Sequence, residues 1–139
     1  MSETNLQEVF DAFFIKVPGV DFTNKKSQVF QFMKSAIGKC YRHTYDDLTY
    51  DYNETTHCGS FKNFVTNASI ELISMFMAKE YFSQKFSVLS SRKQYLGTQA
   101  FNKIPANIEE FNLTKGALDY WDEEIRKFLM DFPDYSETR

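Results

Sequence analysis

Residues 61–96 read FKNFVTNASIELISMFMAKEYFSQKFSVLSSRKQYL, from Phe61 to Leu96, the longest run in the chain with neither proline nor glycine. Apolar side chains fall at Phe61, Phe64, Val65, Ala68, Leu72, Met75, Phe76 and Phe82, the i, i+3, i+4, i+7 spacing of a helix face. Ile70, Ile73, Met77 and Tyr81 add a second stripe beside it. A surface helix needs one apolar stripe, so two imply cover on at least two sides. Ser60 is suited to cap the start and Gly97 to stop the end. The pattern predicts a central helix from about Phe61 to Phe86. Beyond it two readings stand: continuation to Leu96 through Leu89 and Lys93, or a break at Ser87, Ser90 and Ser91.

Working outward, Thr4 with Gln7 has the form of a capping box, followed by an apolar face of Leu6, Val9, Phe10, Phe13 and Phe14. Pro18-Gly19 ends this first helix. Asp21 or Thr23 is placed to cap a second, with the face Val29, Phe30, Met33, Ala36, Ile37, Cys40 and Tyr41. Gly38 interrupts that face at a cost of about 1 kcal/mol relative to alanine. From Tyr45 to Gly59 the helical period is lost. Tyr50 and Tyr52 alternate with polar residues, which suits a short hairpin. A second long connection, 87–105, is expected unless the central helix runs into it. Asn107 with Glu110, or Thr114, is placed to cap the last helix, with Gly116 as a candidate break between two pieces. Its face is Leu118, Trp121, Ile125, Phe128, Leu129 and Phe132. Asp122–Arg126 and Glu123–Lys127 are expected i, i+4 pairs, and Pro133 is the stop. The tail 134–139 is expected to be loose. The fold class expected is all-α: residues 1–139 as one small helical bundle around one long central helix, with two long connections. Phe64, Leu72, Phe76, Leu118, Trp121, Ile125 and Phe128 are expected to share one core.

The 139 residues carry a formal net charge of −3, which argues against a nucleic-acid binder working by bulk charge. No apolar run approaches the length of a membrane span, and the polar start has no secretory pattern. The two cysteines are therefore expected to be reduced thiols. Every Cys and His lies in one window, Cys40, His43, His57 and Cys58, the number of ligands a structural zinc needs. The adjacent second pair strains joint ligation and the spacing fits no zinc class, so no metal is expected. Asp51, Asn53 and Thr55 begin like a calcium loop, but Thr56 stands where glycine is required and no Glu closes it. No phosphate loop, nucleophile elbow or zinc-protease motif is present. A Cys–His dyad from Cys40 with His57, or Cys58 with His43, has nothing else marking a pocket around it. The expectation is no enzyme and no cofactor.

Charge is arranged in blocks. Asp46 to Glu54 holds four acids and no base, whereas Lys79 to Lys103 holds five bases and one acid. Complementary patches of this kind suit a head-to-tail contact between copies. The candidate interface residues are Asp46, Asp47, Tyr50, Asp51, Tyr52 and Glu54 on the acidic side. On the basic side they are Arg92, Lys93, Tyr95, Phe101 and Lys103. Tyr50, Tyr52, Tyr95 and Phe101 would be the buried anchors.

The layout resembles that of the small helical connector, or neck adaptor, proteins of tailed bacteriophages. The matching features are a short first helix, a second ending near Tyr41, the excursion from Tyr45 to Gly59 and a central helix containing Met77-Ala-Lys-Glu-Tyr-Phe82. A long connection and a final helix with Trp121 and Phe128-Leu129 complete it. The resemblance implies a ring-forming structural virion protein that docks on a portal, made in the host cytoplasm. It implies partners in the ring and neck, no membrane and no sequence-specific nucleic acid. The alternative is a small soluble regulator or inhibitor that binds another protein through the aromatic acidic loop 45–59.

Overall fold

The computed structural model describes residues 3–131. The chain is mostly helical with one small two-stranded sheet, so it is not a pure all-α fold. In order it forms α1 (Leu6–Lys16), α2 (Lys26–Cys40), a 3-10 turn at Tyr41–His43, β1 (Tyr50–Asn53), β2 (Cys58–Phe61), α3 (Asn67–Leu96), α4 (Thr98–Asn102) and α5 (Pro105–Asp131). The expected stop at Pro133 and the tail 134–139 lie outside the described residues.

The central helix starts six residues later than its apolar pattern suggests. Phe61 belongs to β2, and Phe64 sits in the connection, 47% exposed. The cap is Thr66, whose hydroxyl accepts from the Ser69 amide, and not Ser60. The apolar run 61–65 imitates the helical period because β2 delivers Phe61, and the connection after it Val65, into the same core. At the other end α3 runs unbroken through Ser87, Ser90 and Ser91. It ends at Gly97, whose φ of 83° only glycine adopts freely. Its 30 residues span about 45 Å. The expected long connection 87–105 is therefore largely helix.

The other caps differ too. Asn5, not Thr4, caps α1 by accepting from the Gln7 amide at 2.8 Å. α2 begins after Lys25 with no side-chain cap, because Asp21 accepts instead from the Thr23 amide and hydroxyl in a local turn. α5 starts at Pro105, which has no amide hydrogen to satisfy in a first turn. It continues through Thr114 and Gly116, and Asn107 is buried, donating to the Phe101 carbonyl at 3.3 Å. The expected i, i+4 pairs are replaced. Asp122 reaches across to Lys79 on α3 at 2.7 Å, Arg126 pairs with Glu123, and Lys127 with Glu124.

The hairpin pairs Tyr50 with Phe61, Asp51 with Ser60, Tyr52 with Gly59 and Asn53 with Cys58. Its strands pass beyond the expected 45–59 limit to Phe61, whose amide donates to the Thr4 carbonyl at 2.8 Å. At Gly59 a Cβ would fall 2.1 Å from the Asp51 carbonyl oxygen and 2.9 Å from Leu6 Cδ1. Only glycine lets β1 and α1 close over that point.

α1 and α2 lie against the N-terminal part of α3. Lys16 pairs with Glu71 and Lys39 with Glu80, and the rings of Phe22 and Phe32 both meet Tyr81 edge-on. Every residue from Leu72 to Ala78 is buried, as a helix covered on several sides requires. The main core takes in Leu6 through Ala78 with Ile125, and Trp121 and Phe128 pack partly buried against it. Of the expected core, Leu72, Phe76 and Ile125 are buried, Leu118 is half-buried, and Phe64 lies outside because the helix has not yet begun there.

Beyond Phe82, α3 pairs with α4 and α5 in a helical hairpin with its own small core. Leu89 and Phe101 are buried there, Phe86 and Phe111 are in ring contact, and Lys85 pairs with Glu110. This half of the molecule is an arm and the rest a head. Phe76→Ala removes a buried ring from the head core and should cost about 3–5 kcal/mol in urea unfolding. A loss below about 1 kcal/mol would show that Phe76 does not sit in the core of the isolated chain.

Candidate protein interface

The acidic segment is built around a clamp on the start of α3. Asp46 accepts from the Thr66 amide at 2.9 Å, the Thr66 hydroxyl at 2.7 Å and the Ser69 hydroxyl at 2.6 Å. With the Ser69 hydroxyl so used, the Thr44 hydroxyl 2.6 Å away donates to Ser69 and accepts from the Asp46 amide. A carboxylate at a helix N-terminus also meets the positive end of the helix dipole. Asp46 is thus a structural residue. Asp47 accepts from the Thr49 amide and hydroxyl and from Asn63, and the Thr49 bonds, foremost, hold its carboxyl below the usual range.

Tyr50 and Tyr52 are not free anchors. Tyr52 stacks flat on Phe30 of α2 with ring centroids 3.9 Å apart, and Tyr50 meets the same ring edge-on. Their period-2 alternation places both on the face that docks against α2. Burial, then the charges of Glu54 and Cys58, raises the Tyr52 phenol, whose oxygen lies 3.2 Å from His57 Nδ1. Asp51 and Glu54 are exposed, Asp51 at 3.9 Å from Lys62.

On the basic side, Phe101 is 1% exposed and belongs to the arm's own core, so it is not a surface anchor. Lys93 is half-buried with its ammonium 4.9 Å from the Phe111 ring centroid and 5.9 Å from that of Phe101. That is an internal cation–π contact, and the residue is committed to the arm. Arg92, Tyr95 and Lys103 are exposed, Tyr95 at 89%. Sequence reasoning left the arm open between continuation to Leu96 and a break at the three serines near its middle, and the helix continues. The absence of any Gly or Pro between Phe61 and Gly97 was the signal for it.

The acidic and basic groups lie at opposite ends of α3. Asp46 binds its first turn, and Arg92 lies 23 residues beyond Ser69, about 35 Å along the helix. They do not meet within one copy.

The Cys/His window does not converge. Among the described residues no three His, Cys, Asp or Glu side chains are grouped to hold a metal ion. Cys40 is buried on α2, and burial pushes its thiol far above the ordinary range, unsuited to a nucleophile. Burial, then Arg42, lowers the His43 imidazole. Cys58 is exposed and donates to the Thr56 carbonyl. His57 holds the hairpin turn at φ 57°, its amide donating to Asn53.

A cleft of about 510 Å³ opens between α1, the 17–25 loop, the start of α2 and the hairpin turn. Phe10, Phe14, Phe22 and Val29 form one wall, with Phe14 stacked on Phe22 at 5.6 Å. Thr23, Lys26 and His57 stand among its polar lining. The Pro18-Gly19 turn, with Gly19 at φ 82°, folds Phe22 back over α1 to make it. No helix among the described residues is long and apolar enough to cross a membrane. No family model, curated protein or solved structure matches the chain.

The clamp sets a stability prediction. Asp46→Ala leaves an amide and two hydroxyls without their shared acceptor and should cost about 1.5–3 kcal/mol in urea unfolding, with Asp46→Asn intermediate. A change below about 0.5 kcal/mol would mean solvent replaces the carboxylate at no cost.

Proposed function

We propose that the protein is a structural assembly subunit that joins copies of itself head to tail, as a ring-forming head–tail connector of a virion docking on a portal would. The observation that carries this reading is the separation of unlike charges by the length of α3. The exposed acids Asp51 and Glu54 belong to the head, and the exposed bases Arg92 and Lys103 to the arm. Groups that one copy holds apart, a second copy can bring together, and a contact between unlike patches propagates into a ring or filament. The arm also leaves Val88, Tyr95, Leu96, Ile104, Ile108 and Leu113 exposed, apolar area for an interface to bury. Charge would orient the contact, since exposed ion pairs contribute about 0–1 kcal/mol each, and apolar burial would drive it.

The regulator reading draws on the aromatic acidic loop. That loop is a folded hairpin whose two tyrosines pack on Phe30, which leaves fewer side chains for a separate partner. The assembly reading is favoured on that ground.

The test is charge reversal on the arm without touching Lys93, which its cation–π contacts reserve. Arg92→Glu with Lys103→Glu should keep the helical circular dichroism spectrum and the unfolding midpoint. It should abolish assemblies seen by native mass spectrometry or electron microscopy, alone or with portal. Normal assembly by this variant would remove the charge argument.

A further inference from the structure

We propose that the cleft on the head is a socket for Tyr95 of a second copy. The inference rests on the assembly reading above and names the contact that would make it. Tyr95 is the most exposed large apolar side chain among the described residues, standing out from α3 two residues before Gly97. A tyrosine in that position buries little within its own chain. Phenol rings of this kind serve as interface anchors when a partner offers an apolar pocket with a polar group for the hydroxyl.

The cleft has that form. Of its aromatic wall, Phe14 is open to solvent while Phe10 and Phe22 are nearly covered. Lys26 offers a donor to a phenol, beside the Thr23 hydroxyl that donates to Asp21 and the His57 ring whose Nδ1 meets Tyr52. Its volume of about 510 Å³ is in the range that takes a ring and its neighbours. The molecule's own Tyr95 cannot enter. Tyr81 is the residue of α3 that meets Phe22, and Tyr95 lies 14 residues further along the same continuous helix, about 21 Å away.

Charge complementarity selects the occupant. Asp21 lines the cleft, and the two elements that flank it, α1 and the hairpin, add Glu8, Asp11, Asp51 and Glu54, with Lys16 of α1 already paired to Glu71. Lys25 and Lys26 at the start of α2 are the exception. The arm carries no acid from Tyr81 to Ile108 and four bases, with Arg92 one helical turn from Tyr95. A basic tip carrying an exposed ring thus faces an acidic surface carrying an open aromatic socket. The two surfaces differ and belong to opposite parts of one chain, so each copy in a series uses both.

The experiment replaces Tyr95 by the photoreactive p-benzoylphenylalanine in the full chain, irradiates it, and maps cross-linked peptides by mass spectrometry. The expected result is covalent multimers with cross-links in 7–29 and 52–58. In parallel, Tyr95→Ala should weaken self-association by about tenfold or more in sedimentation, while Tyr95→Phe retains most of it. Neither change should disturb folding, because the side chain is exposed. Cross-links to a different segment of a second copy would overturn the socket and leave head-to-tail assembly standing. Multimers that form equally well with Tyr95→Ala would do the same. No intermolecular cross-link, with a chain that stays monomeric, would overturn the socket and count against the assembly reading as well.

Discussion

The rest of the structure depends on one helix being held at its first turn. Thr66 caps α3, but its first turn has no acid of its own to meet the helix dipole. Asp46 supplies that charge from outside the helix and takes three hydrogen bonds in doing so. One residue earlier, the Val65 amide donates to the Thr4 hydroxyl at 2.9 Å, and the Thr4 carbonyl takes the Phe61 amide. The start of α1, the end of β2 and the excursion after α2 are thereby fixed to the same few residues. These groups are buried or half-buried, and a buried polar cluster is stabilising only when its members are satisfied.

From that fixed start the helix runs outward as a strut, and two cores form along it. The first is large, where α1, α2 and α5 cover α3 around its buried middle. The second is small, where Leu89, Phe101, Phe86 and Phe111 close the arm. Lys93 lies over the aromatic rings of the second core, so a basic residue there serves packing as well as charge. The same strut keeps Asp51 and Glu54 of the head apart from Arg92 and Lys103 of the arm, although Asp51 lies near Lys62 and Lys85 pairs with Glu110.

The faces of α1, α2 and α5 were legible because each has one apolar stripe at helical spacing. The start of α3 was not, because Phe61 and Val65 reach the same core from a strand and a loop, and periodicity counts them alike. Thr66 and Ser69 carried the true cap signal, but their partner Asp46 is 20 residues away in sequence. Among the interface candidates, exposure of Asp51, Glu54, Arg92, Tyr95 and Lys103 followed from their polar surroundings. Phe101, Tyr50 and Tyr52 were read as anchors because they lie in segments without helical period. Each instead fills a local core against a helix the sequence did not pair it with. The cleft left no motif, since the Pro18-Gly19 turn assembles it from separate segments.

α3 acts as one rigid strut from the Asp46 clamp to Gly97. Pulsed electron–electron resonance between spin labels at Asn67→Cys and Gln94→Cys tests it directly, with Cys58→Ser removing the exposed native thiol and Cys40 protected by burial. A continuous helix gives one narrow distance distribution centred near about 40 Å, the length of 27 residues of helix. A broad, bimodal or markedly shorter distribution would place a hinge in the serine-rich stretch 87–91 and contradict it.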